Sequence, residues 1–122
     1  MKLYEVLNLN EIMKKVIDDQ TLKIDSLTKF KLLGIMKVLE PHIQNFEIIR
    51  NEKIKEFGKE DGDGNVLIGK EDTDAMRQFN DSLSDIINSD LNITFEKIKA
   101  NDIFNKGLPA EYLVALYPVI TG

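Results

Sequence analysis

From Leu27 to Phe57 the apolar positions Leu32, Ile35, Met36, Leu39, Ile43, Phe46, Ile49, Ile54 and Phe57 recur at helical spacing. At 3.6 residues per turn they trace one stripe for about eight turns. The pattern predicts a dominant helix over about residues 26 to 57, with Ser26 as its cap and Gly58 as its stop. Pro41 lies inside the stripe and has no amide for the carbonyl of Lys37, so the helix should kink there or split in two. The stripe stays in phase from Leu39 through Ile43 to Phe46, which favours the kink.

The remaining pattern is shorter-ranged. Leu3, Val6, Leu7 and Leu9 predict a strand over residues 2 to 7, followed by a brief helix capped by Asn8 or Asn10 and closed by the polar residues 18 to 20. Leu22 and Ile24 alternate with polar neighbours, which fits a second short strand or an extended connector. Residues 59 to 72 read as a small β-hairpin around the glycines of DGDGN. Asp72 or Thr73 then caps a helix carrying Met76, Phe79, Leu83, Ile86 and Ile87, ending near Asn88. Leu91, Ile93 and Phe95 alternate with polar residues and predict a half-buried strand whose partner is the N-terminal one. Pro109 suits the first turn of a closing helix over Leu113 and Leu116, ended by Pro118. The expected fold is a single α+β domain, residues 1 to 122. In it a long helix, kinked at Pro41, and two shorter helices pack on a small antiparallel sheet.

Composition narrows the class of function. A hydrophobic fraction of 43% with 30% charged residues is that of a folded globular chain. No apolar run approaches the roughly 18 to 20 residues needed to span a bilayer, and Glu5 and Glu11 interrupt what would be the apolar core of a signal peptide. These features predict no membrane partner and a cytoplasmic location, and they make the Asn92-Ile93-Thr94 sequon a chance occurrence. Cysteine is absent, which removes disulfides, thiol catalysis and thiolate zinc sites. The net charge of -5 argues against direct nucleic-acid binding, which needs a basic surface.

The segment EDGDGNVLIGKED, residues 60 to 72, carries the one arrangement that looks like a chemical site. Counted from Asp61, it places Asp61, Asp63, Asn65 and Asp72 at positions 1, 3, 5 and 12 of a calcium loop. The sixth position should be glycine, for a sharp turn with positive φ, and is Val66, so a hairpin accounts for the segment better than a metal site. His42 is the sole histidine and lacks an evident partner; Ser26, Ser82 or Ser84 would have to be folded next to it for nucleophilic chemistry. It reads as a partly exposed helical histidine. Adjacent acids such as Glu71 with Asp72, or Asp18 with Asp19, do not face each other across a cleft and read as caps or solvated charges. With no phosphate-loop, dinucleotide, serine-hydrolase or zinc-protease motif, the residues predict no enzyme and no cofactor.

Several stretches together resemble small accessory proteins encoded by tailed phages and prophages of low-GC Gram-positive bacteria, a group without an assigned function. They are the opening KLYEVLNL, the helix end FEIIRNEKIKEFG, the DGDGN turn, FNDSLSDIINSDLNITFEKI and the close LPAEYLVALYPVI. Pro41 departs from the uninterrupted long helix of that group. The resemblance implies a phage origin, a non-enzymatic accessory role and a location in the host bacterial cytoplasm or the virion. On it rests the expectation of an inhibitor of a host anti-phage defence protein. It would work by protein–protein contact through the acidic residues Glu60, Asp61, Asp63, Glu71, Asp72 and Asp74, since complementary charge speeds encounter with a basic partner. An assembly accessory protein of the head, neck or tail, or its chaperone, is the alternative. A sponge for a small nucleotide signal is less favoured, because Arg50 and Arg77 are the only arginines and an oligomeric pocket would be needed. Ile48, Ile49, Ile54 and Phe57 widen the apolar face of the long helix, either for packing on the helix of residues 73 to 88 or as a homo-oligomer seam.

Overall fold

In a computed structural model, which describes residues 1–121, the chain is an α+β domain made mostly of helix. Helix α1 spans Leu3–Asp18 and α2 spans Ser26–Phe57. A hairpin of β1 (Lys59–Glu60) and β2 (Val66–Leu67) follows, then α3 (Thr73–Ile87), β3 (Ile98–Lys99), α4 (Ala110–Ala115) and β4 (Ile120–Thr121). Short 3-10 turns at Ala100–Asp102 and Tyr117–Val119 flank α4.

The N-terminal segment is helix, not strand. Leu3, Val6, Leu9, Met13 and Val16 are all buried, and their spacing of three and four keeps them on one helical face, each contributing about 1.5–3 kcal/mol of burial. The helix opens with Glu5, whose carboxylate accepts the Lys2 amide at 3.0 Å, offsetting a donor that would otherwise be unpaired.

Helix α2 is the axis of the domain. Asp25, rather than Ser26, is its cap, accepting the Thr28 amide at 2.8 Å. Thr28, Leu32, Ile35, Leu39 and Phe46 form its buried face. The helix runs through Pro41 as one element, so the chain is not split there. The α1 and α3 helices both pack on α2, and Ile98, Ile103, Leu116 and Val119 from the C-terminal third complete one core. Ile49, Ile54 and Phe57 pack against that core, and α3 lies on α2, which realises the intramolecular use of that face; Ile48 alone of the four points outward, 58% exposed.

The expected sheet is not formed. Residues 21 to 25 form no strand: they make a turn and an extended connector in which Leu22 and Ile24 are buried, and the Lys23 amide donates to the Lys106 carbonyl at 2.9 Å. Leu91, Ile93 and Phe95 do face inward while their neighbours face water, but no strand lies alongside to complete a ladder. The N-terminus meets the start of this segment in a single antiparallel bridge between Lys2 and Asp90, beside which the Leu91 amide donates to the Met1 carbonyl at 2.8 Å. The described strands form two pairs: β1 with β2, antiparallel, and β3 with β4, parallel, with Ile98 beside Ile120. A parallel pair needs a crossover connection, which the 3-10 turns and α4 provide. No helix among the described residues is long and apolar enough to cross a membrane.

Candidate functional site

The hairpin is built by its own acidic residues. The Asp61 carboxylate accepts the backbone amides of Asp63 at 2.8 Å and Asn65 at 3.0 Å. This side-chain mimic of a turn is the reason aspartate is favoured at such positions. The sharp reversal is made by Gly64, with φ of 84°, a region open to glycine at little cost. Val66 instead sits in β2, opposite Glu60.

The hairpin is joined closely to the helices on either side. A methyl group at Gly58 would meet the carbonyl oxygens of Ile54 and Leu67 at 2.5 and 2.8 Å, so α2 ends where β2 crosses it. Asp72 caps α3 by accepting the Ala75 amide at 3.2 Å, and its other oxygen faces the Lys59 ammonium at 3.7 Å. That pair links the first strand of the hairpin to the start of α3, although the lysine is largely exposed and the pair contributes below about 1 kcal/mol.

Between these parts lies a cleft of about 380 Å³. Phe57, Leu67 and Ile68 supply apolar wall; Glu60, Asp61, Glu71 and Asp72 supply carboxylates, against the one cation, Lys59. Glu71 turns its carboxylate back over Gly69. Four of the six acidic residues singled out from the sequence thus meet around one cleft. Asp63 is exposed at the hairpin tip, and Asp74 is on α3, 3.6 Å from Arg77.

The calcium count does not translate into a ligand cage. Asp61 is engaged with backbone amides and Asp72 with the α3 cap and Lys59. Among the described residues no three His, Asp or Glu side chains converge to hold a metal ion.

His42 is half-buried at a second cleft of about 270 Å³, beside Leu3, Phe46, Ile49, Ile86 and Leu91. This grouping of distant residues had no counterpart in sequence spacing. The Ser82 hydroxyl donates to the Phe79 carbonyl at 2.7 Å, so it is bonded within its own helix rather than to an imidazole. Two carboxylates away from both clefts are held below their ordinary value: Asp19 by the Thr21 hydroxyl and amide, and Asp25 chiefly by the Thr28 amide. Both act as local caps, at 2.6 and 2.9 Å and at 2.8 Å respectively.

Fold and site together define a small, mainly helical α+β domain with an acidic, part-apolar surface cleft. No protein-family model, curated protein or solved structure matches the chain, and the cleft's own chemistry is the guide to its use. Carboxylates over an apolar wall suit a lysine or arginine side chain, whose stem lies on carbon while its head meets the acids.

Proposed function

We propose that this chain is a non-enzymatic binding protein whose acidic cleft receives a basic side chain of another protein. The observation that carries this reading is that Glu60, Asp61, Glu71 and Asp72 all line one cleft walled by Phe57, Leu67 and Ile68. Leu67, 47% exposed, offers apolar contact at the rim of the charged groups. Complementary charge at such a rim accelerates association and selects against acidic partners.

The resemblance noted above, and not the geometry, supplies the biological setting: an inhibitor of a host anti-phage defence protein, acting in the bacterial cytoplasm. Occupying a basic channel in that target would block it without chemistry. The assembly role is the alternative within the same setting.

The test is affinity capture from a host lysate with the wild-type chain and with Glu60→Lys and Glu71→Lys, which leave the turn and the α3 cap intact. A host protein held by the wild type, released by salt and weakened about tenfold or more by either charge reversal is the expected result. Recovery of phage structural proteins alone would replace inhibition by the assembly role, and capture unaffected by both reversals would remove the cleft from the interaction.

A further inference from the structure

Residues 91 to 96 have the pattern of a strand and no strand beside them. Leu91, Ile93 and Phe95 turn inward and pack against the core, while Asn92, Thr94 and Glu96 are exposed. This is the period of two of an extended chain. Ile93, Thr94 and Phe95 are residue types that favour strands, and the stretch has none of the lysine or proline that keeps an exposed edge from pairing.

A ladder begins here and is left open. Leu91 and Met1 exchange both main-chain bonds: the Leu91 amide donates to the Met1 carbonyl at 2.8 Å, and the Met1 nitrogen donates to the Leu91 carbonyl at 3.3 Å. The Leu3 amide donates to the Ser89 carbonyl at 3.1 Å, which makes Lys2 and Asp90 the antiparallel pair between. In such a ladder the residues that exchange both bonds recur at every second position. The next after Leu91 are Ile93 and Phe95, whose main-chain groups point to the side that Met1 occupies. Among the described residues nothing bonds to the amides or carbonyls of Asn92, Ile93, Thr94 and Phe95.

We propose that an extended segment of another protein adds at this edge as a strand, antiparallel to residues 92 to 96 and in line with Met1 and Lys2. Extended main chain repeats its donor and acceptor at the same interval as the edge, so it answers Ile93 and Phe95 together.

The edge also specifies the side chains of that segment. Residues directly opposite share a face, so the two positions opposite Ile93 and Phe95 lie towards the core and are apolar. Those opposite Asn92, Thr94 and Glu96 face water and are polar. Glu96 has no ion pair among the described residues, which favours a lysine or arginine opposite it. Met1 fills the place opposite Leu91, so the segment ends or turns away there. From its N-terminal end it reads basic, apolar, polar, apolar, polar. A second copy of this chain does not fit: laid antiparallel about Thr94, it would carry Lys97 and Ile98 into the places of Met1 and Lys2. The edge shares no residue with the acidic cleft, so this contact is independent of what the cleft receives.

The blocked peptide acetyl-Lys-Val-Thr-Val-Thr-amide, titrated into the full chain at millimolar concentration and followed by amide hydrogen exchange, tests this. Exchange at Ile93 and Phe95 should slow about threefold or more, and exchange at Asn92 and Thr94, whose amides point to the other side, should not change. N-methylation of the two valines removes the donors that face the edge and should abolish binding, whereas N-methylation of the threonine between them should leave it. Glu96→Lys, at an exposed position, should weaken binding about threefold, and exchanging the peptide's lysine for glutamate should restore it. Three results would overturn the proposal: no binding at millimolar peptide, equal slowing at all four amides, or binding indifferent to methylation of the valines. Slowing at Ile93 and Phe95 that grows with protein concentration in the absence of peptide would also overturn it, by making a second copy the occupant.

Discussion

Asp61 and Asn65 close the hairpin reciprocally: the Asp61 amide donates to the Asn65 carbonyl at 2.7 Å, and the Asn65 amide donates back to the Asp61 carboxylate at 3.0 Å. The acid at the mouth of the cleft is therefore also the residue that shapes it. Asp63, two residues further on, contributes its backbone amide to the same turn and leaves its side chain in water.

These two aspartates should consequently respond differently to substitution. Asp61→Ala removes an acceptor of two amides and is expected to cost about 1 kcal/mol, with faster hydrogen exchange at the amides of Asp63 and Asn65. Asp63→Ala should leave both amides protected and the melting temperature unchanged. Equal exchange in the two variants would show that the carboxylate does not hold the turn.

Gly58 is constrained by backbone on two sides, Ile54 and Leu67. Backbone atoms cannot rotate away as a side-chain end can, so Gly58→Ala should force α2 and β2 apart and cost about 2 kcal/mol. Urea unfolding of the variant measures this. An unchanged midpoint would mean that the junction is looser than its geometry implies.

Pro41 is exposed in mid-helix and offers no amide to the Lys37 carbonyl. Pro41→Ala restores that donor, worth up to about 3 kcal/mol, and gives back less than about 1 kcal/mol through the freer unfolded chain. A net gain of about 2 kcal/mol is expected in urea at low protein concentration.

Asp25 links helix α2 to pH. Its carboxyl is held below the ordinary 3.8 mainly by the Thr28 amide, so its folded value is the lower one. The stabilisation is fully present above pH 3.8 and disappears as the pH falls through the depressed folded value. Asp25→Ala should therefore melt below the wild type at pH 7, with the gap narrowing as the pH falls well below 3.8. Asp25→Asn, which keeps an accepting oxygen, should melt close to the wild type at pH 7. A gap of the same size at pH 7 and at pH 2.5 would exclude the carboxylate as its source.

Much of the fold was legible in the sequence wherever the apolar period was long. The register of α2, the span and cap of α3, and the acidic hairpin with its turn all follow from local spacing and side-chain chemistry, because each is stabilised by groups within a few residues. The strand expectation fails at the first helix because Leu3, Val6, Leu7 and Leu9 form too short a window to separate strand from helix. Adding Met13 and Val16, buried on the same face, restores the helical period.

What only the tertiary structure decided is who lies beside whom. The alternation of Leu91, Ile93 and Phe95 correctly marks which side chains face inward, but a strand exists only if another backbone pairs with it, and that neighbour is a three-dimensional fact. The pairing of Ile98 with Ile120, invisible in either short segment, is the converse case. In the same way the sequence marked the acids of residues 60 to 72, while folding alone set four of them around an apolar cleft. It also left Leu27, Phe30 and Val38 outside the core that their neighbours Thr28, Leu32 and Leu39 entered. Periodicity specifies the face of an element; which of two apolar faces is buried depends on the elements that pack against it.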